Sequence, residues 1–390
     1  MGTLQTQNEG RPAKTRMMNL ELLRCIAMMM VVALHFLGKG GLLGDLSQKN
    51  LGVTEMVAWA LESFCIVAVN VYMLISGYFL CQSGFKLSRL FQLLMQIWFY
   101  SVVFGLLGAV FGMVPAETVD LYYFLQLIFP VSMNHYWFMT AYVFFYLLLP
   151  LVGAAVKQLS KKQLQFAIGA LFFWFCLFKS VLPIRLTTDG KGYDFLWYLC
   201  VFLVAAYFRR FGMGALGKKS RGFLLYFAAC LLAFGEIMLL YMLYSQTGKL
   251  LGLLTVSHEY NHVLPFLASV GLFSAFLGIR VPEGIGRIFG KIAPLTLGVY
   301  LMHENLGVRY AWQRLFGADA IQSVGGLFIG LFVAIFCVFA AGILVEAIRS
   351  ALMKGLHVLL LRVALYRHLV EKITAVDRLF LEKKEAEQNK

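Results

Sequence analysis

Arg24 and His35 stand in the first long apolar run of the chain, separated by ten residues that are all apolar. Eleven helical steps of about 100° make three turns plus about 20°, so both side chains share one helix face, about 16 Å apart along the axis. A strong cation and an imidazole that titrates near neutral pH are costly inside a membrane, and such groups mark functional paths by default. The chemistry open to the pair is anion binding at one end and proton transfer at the other. A structural role competes with this. Arg24 reaches headgroups with its long stem or pairs with Glu21 one turn before it, and His35 sits at an interface.

The elements that would position the pair are membrane helices. The chain has 390 residues, of which 60% are hydrophobic and only 14% charged, with a mean hydropathy of +0.76. Soluble domains carry about 25% charged residues. Ten apolar spans are predicted at 17–38, 57–80, 90–111, 137–156, 164–182, 194–211, 222–244, 261–279, 288–306 and 325–348, each near the length a bilayer requires. They lack the alternation of a barrel. The fold class is therefore all-α and polytopic. The first span follows a polar stretch holding Arg11, Lys14 and Arg16 and reads as a retained signal anchor. With both termini cytoplasmic, 25 of the 34 Lys and Arg residues fall inside and eight outside, Arg24 lying within its span, as the positive-inside rule requires. Residues 120–132 read as a short interfacial or re-entrant helix. Residues 349–390 form a basic tail whose mixed apolar and cationic pattern suits a helix on an anionic leaflet.

The net charge of +14 does not indicate nucleic acid, because the cations are scattered over short loops. Seven cysteines without a Cys-x-x-Cys make neither a disulfide framework nor a zinc ribbon. His258-Glu-Tyr-Asn-His262 does spell His-Glu-x-x-His. On a helix it places two imidazoles on one face for zinc, with Glu259 as base, and so supplies an alternative reading as a membrane protease. Pro265, three residues on, weakens a continuous helix there. No metal site is expected.

Beyond these, the first span resembles the start of the acyltransferase 3 family of integral-membrane acyltransferases, in which an Arg and a His are separated by ten residues and an acid precedes the Arg by three. Arg24, His35 and Glu21 fit, although Asp is the commoner acid. Further stretches are similar in the same order. Val69-Asn-Val-Tyr-Met-Leu-Ile-Ser-Gly77-Tyr resembles the second-span motif. Lys86-Leu-Ser-Arg89 resembles the basic inner loop, with Lys for the first Arg. Tyr136-Trp137-Phe138 opens a span containing Pro150. Gly290-Lys-Ile-Ala-Pro-Leu-Thr-Leu-Gly-Val-Tyr300-Leu-Met-His303 resembles a later stretch, with Ala-Pro where the family has Ser-Tyr.

The resemblance covers about 17–348 and implies transfer of an acyl group, usually acetyl, from cytoplasmic acyl-CoA to a hydroxyl of an extracytoplasmic acceptor. The resemblance implies as acceptor a cell-surface polysaccharide or its lipid-linked precursor. Acetyl-CoA would be a donor substrate, with no permanently bound cofactor, and the protein would be a multi-pass protein of the plasma (inner) membrane contacting lipid but no nucleic acid. Coenzyme A is polyanionic, so Arg24, Lys86 and Arg89 are its expected partners, unless they serve topology alone. His35 would take the acceptor's hydroxyl proton or carry the acyl group itself. Asn70 and Ser76 would bond the thioester or pack helices. Glu236 would line the acceptor route or pair with a neighbour, and His303 would assist His35 or serve structure. An exporter or flippase without catalysis is the non-enzymatic alternative; the absence of paired half-repeats argues against it.

Overall fold

The computed structural model describes residues 16–182 and 189–388, with side chains through 380. The polar segment expected at 1–16, apart from Arg16, lies outside the described residues, as do Arg185 and the side chains of the tail's last ten residues.

Every element among the described residues is helical. The helices are α1 (Met18–Lys39), α2 (Val53–Cys65), α3 (Ala68–Leu80), α4 (Leu87–Val110), α5 (Leu121–Ile128), α6 (Trp137–Gln158), α7 (Lys161–Phe172), α8 (Phe178–Val181), α9 (Phe195–Phe211), α10 (Lys219–Thr247), α11 (Val263–Leu277), α12 (Glu283–Ile292), α13 (Thr296–His303), α14 (Val324–Leu360) and α15 (Ala364–Gln388). Nine helical stretches of the described residues are long and apolar enough to cross a membrane; α2–α3, α7–α8 and α12–α13 each join into one. The sixth predicted span coincides with α9, whose 17 residues rise about 25 Å. The predicted short helix after residue 120 is α5, capped by the Asp120 carboxylate on the Tyr123 amide at 2.8 Å.

α1 is central. It packs against α2, α3, α11, α12, α13 and α14, and Leu23, Ala27, Val32 and Phe36 are sealed from solvent. Its start has no side-chain cap. Nearby contacts anchor it instead: Arg16 donates to the Gly290 carbonyl at 2.8 Å and Asn19 to that of Phe276 at 2.9 Å. α4 and α14 lie at the periphery and present Phe91, Trp98, Phe328, Phe332 and Phe336 outward. An apolar exterior suits helices that meet lipid.

Close packing uses small residues. A Cβ at Gly222 would sit 2.6 Å from the Ala275 amide nitrogen, and one at Gly271 would sit 2.7 Å from that of Tyr226. α10 and α11 therefore approach nearly backbone to backbone, as small residues permit between membrane helices.

The tail differs from the expectation. The last span does not stop at 348; α14 continues to Leu360, and only α15 turns away. Residues 349–360 contain no proline to end the helix, and Gly355 alone is tolerated. α15 docks on the start of α4. The Asp377 carboxylate accepts from the Ser88 amide at 3.2 Å and from its hydroxyl, while Phe380 packs edge-on against Phe85, 5.1 Å between rings.

Candidate active site

His35 lies at the end of α1 and meets α13 there. His303 Nδ1 is 2.5 Å from the Val299 carbonyl oxygen, one turn back. A carbonyl only accepts, so that nitrogen carries the proton and His303 Nε2 offers a lone pair. His35 Nδ1, 2.8 Å from this Nε2, must then be the donor. The Glu304 carboxylate, 3.4 Å from the same Nδ1, demands the same assignment. In the neutral ring His35 Nε2 is left unprotonated.

Charged residues surround the pair. Lys39 donates to Glu304 Oε2, and Arg309 Nε lies 3.7 Å from Glu304 Oε1. Arg309 also donates to the carbonyls of Glu304 at 3.1 Å and His135 at 2.6 Å. Asn305 fixes this turn by donating to the Tyr100 carbonyl and the Tyr136 hydroxyl, at 2.9 and 2.8 Å. His135 accepts from the Leu306 amide at Nε2, 3.0 Å, and its Nδ1 lies 2.9 Å from the Ser101 hydroxyl. Burial, reinforced by the Arg309 cation, holds His135 down at about 3, so it is neutral at physiological pH.

His35 faces a narrow cavity of about 50 Å³, which Met28 and Val31 line from the same helix, with Tyr72, Phe138, Tyr260 and Tyr300 opposite. Positions 24, 28, 31 and 35 are spaced as one helix face, so the cavity follows the line from His35 toward Arg24. Arg24 is paired with Glu21 at 2.9 Å and remains a quarter exposed. Its carbonyl accepts from the Tyr72 hydroxyl at 2.8 Å. A second wall comes from α6. Phe138, Tyr142 and Tyr146, four residues apart, run about 12 Å along α6 from the cavity to its middle. Tyr146 is tied there to the Lys86 backbone at 3.1 Å. Lys86 precedes the first residue of α4, and Arg89 is exposed in its first turn. Tyr142 lies within electrostatic reach of both Arg89 and Arg24.

The remaining expected residues fall elsewhere. Asn70 accepts from the Trp197 indole at 2.8 Å and donates to the Tyr260 carbonyl at 2.7 Å, with no exposed surface. Its polar groups join α3 to α9 and to the loop before α11. Ser76 sits beside the Tyr198 hydroxyl. Glu236, on α10, faces His262 Nε2 at 3.7 Å. The His-Glu-x-x-His string is not helical. His258 ends a short 3-10 turn and its Nε2 meets the Ser63 hydroxyl at 2.8 Å, whereas His262 caps α11. Glu259 pairs with Lys179 at 2.6 Å. The two imidazoles therefore do not share a helix face, and the geometry that motivated the zinc reading is missing. Pro265 falls in the first turn of α11, where its lack of an N–H is harmless.

A family model described as an acyltransferase domain, Acyl_transf_3, matches residues 18–346. The chain belongs to the acyltransferase 3 family. Comparisons with curated proteins and with solved structures found no match. Membership makes the protein a multi-pass membrane acyltransferase, and so separates it from the protease and exporter alternatives.

Several residues around the acyltransferase's histidine pair were not legible as site residues. Lys39 and Arg309 read in sequence as charges flanking spans, and Glu304 as an acid near the end of the span 288–306. Their only signal was that Glu304 follows His303 directly. Tyr72 and Tyr300 stand in two of the stretches that resemble the family, but nothing in their spacing gave either a role.

Proposed function

We propose that this acyltransferase takes an acyl group, acetyl in the first instance, from cytoplasmic acyl-CoA and moves it to a hydroxyl of an extracytoplasmic glycan or its lipid-linked precursor. The site of action is the plasma membrane of the cell. The observation that carries the reading is the 2.8 Å contact between His35 Nδ1 and His303 Nε2, whose other nitrogen faces the Val299 carbonyl. With Nδ1–H committed to His303, Nε2 is free to accept the acceptor's proton, which is the task of a general base.

In this reading the phosphates of the donor rest on Lys86 and Arg89, and its arm runs between the Arg24 face of α1 and the aromatic stripe of α6. Arg24 serves as the last cation before the apolar stretch. The thioester then arrives in the cavity beside His35. The acceptor enters from the other end of the bundle. Tyr193 is 46% exposed there, and its ring lies 4.4 Å from Trp137 and 4.8 Å from Tyr260. Those two rings also line the cavity. A wall of aromatic rings with polar tips suits the apolar face of a sugar. CoA is consumed as a substrate, and the step calls for no resident cofactor.

Sidedness tests this. Labelled acetyl-CoA added to inside-out vesicles from cells bearing their native glycans transfers label to membrane or glycan material; added to right-side-out vesicles it does not. Replacing Lys86 and Arg89 together by Ala raises KM for the donor by roughly tenfold, the scale of a lost hydrogen bond to a charged group. Equal transfer from both vesicle orientations rejects the assignment of the donor side.

A further inference from the structure

The cavity beside His35 holds a buried hydroxyl whose proton meets no acceptor among the described residues. Tyr300 is 94% buried, being 6% exposed, and its ring lines the cavity. No acceptor among the described residues takes its hydroxyl proton. Its oxygen lies within reach of the backbone N–H of Phe138. That amide belongs to the first turn of α6, whose start carries no side-chain cap. The first-turn N–H groups of a helix have no intrahelical partner, and the positive end of its dipole favours negative charge. A 22-residue helix thus begins at the cavity wall, beside a buried hydroxyl with an unspent proton. Leaving such a donor unsatisfied is costly, and the cost makes sense where negative charge develops during a reaction.

We propose that the Tyr300 hydroxyl, its oxygen held by the Phe138 amide, is the oxyanion-hole donor for acyl transfer. This rests on the thioester-to-hydroxyl reading above. The acceptor oxygen attacks the thioester carbonyl carbon, forming a C–O bond as His35 Nε2 takes the hydroxyl proton. The carbonyl π electrons move to oxygen, and that oxyanion receives a hydrogen bond from Tyr300. Collapse restores the carbonyl and breaks the C–S bond. The departing thiolate recovers the proton from His35, giving the ester and free CoA.

The test is Tyr300→Phe, which keeps the ring and removes only the hydroxyl. Initial rates from labelled acetyl-CoA in inside-out vesicles are compared with wild type and with His35→Ala. The expected result is a fall in kcat of roughly 10²–10³-fold, the effect of losing one oxyanion donor, with KM for acetyl-CoA within about twofold. A wild-type kcat, or a raised KM with kcat kept, overturns the role. Loss of transfer in His35→Ala with a full rate in Tyr300→Phe rejects the oxyanion hole alone, whereas full rates in both reject the underlying acyl-transfer site as well. If Tyr300→Phe does not extract as a monodisperse species, 3-fluorotyrosine at position 300 replaces it. Its more acidic hydroxyl changes kcat severalfold if it donates to the oxyanion and leaves kcat unchanged if it does not.

Discussion

His303 accepts a hydrogen bond from His35 across 2.8 Å while its own Nδ1 lies 2.5 Å from the Val299 carbonyl. The two imidazoles form a chain in which each proton has one place to go. A backbone carbonyl thereby dictates, through one intermediate ring, which nitrogen of His35 is basic. Partners of this kind orient a reactive histidine and fix its tautomer.

His303 is accordingly expected to matter through what it accepts. His303→Ala removes the acceptor and lowers acyl transfer by roughly 10²-fold, the low end of what a positioned base contributes. His303→Gln supplies an amide oxygen in its place and keeps more of the rate. Initial rates of label transfer at matched expression check the order wild type, Gln, Ala. An Ala variant as active as Gln contradicts the accepting role.

Glu304 is buried among Lys39, Arg309 and His35. Removing it strands two partly buried cations, and breaking such a pair costs about 3–5 kcal/mol. Glu304→Ala should lower the thermal unfolding midpoint of the purified protein in detergent. Adding Lys39→Met should recover part of the loss, because the residues are coupled. A double variant no more stable than Glu304→Ala argues against the coupling.

Burial, helped by Arg309, lowers the His135 pKa from 6.5 to about 3. Between those values the unfolded chain binds the proton and the folded protein does not, so stability rises with pH across the window. The contribution is complete above about 6.5 and is lost as pH falls toward 3. Unfolding midpoints from pH 4 to 8 should therefore drop on acidification. His135→Asn should show a shallower pH dependence, even if it is less stable at pH 7. An unchanged slope removes His135 as the source.

Much of the fold was legible because hydrocarbon imposes length and apolarity on every span. The shared face of Arg24 and His35 was legible for a related reason: both lie on one helix, where spacing fixes direction. The His35–His303 contact joins positions 268 residues apart, and no local pattern announces it. Glu304 and Arg309 were opaque because a charge at a span end serves topology equally well. The His258–His262 string misled in the opposite sense. Its spacing has chemical meaning only on a helix, and α11 starts after it, as Pro265 hinted. The boundary between span and tail is hard to see in sequence because Arg349 interrupts the apolar run. Its guanidinium instead meets Glu346 at 2.6 and 2.8 Å, so charge there is neutralised within a continuing helix.

The central claim is that His35 is the base of an acyl transfer. The most direct measurement is transfer from labelled acetyl-CoA in inside-out vesicles carrying the native glycans, with wild type and His35→Ala at matched expression and intact insertion. If His35 is that base, wild type places label in membrane or glycan and the variant falls by roughly 10²–10⁴-fold, the contribution of a positioned base. Transfer at the wild-type rate in His35→Ala would contradict it.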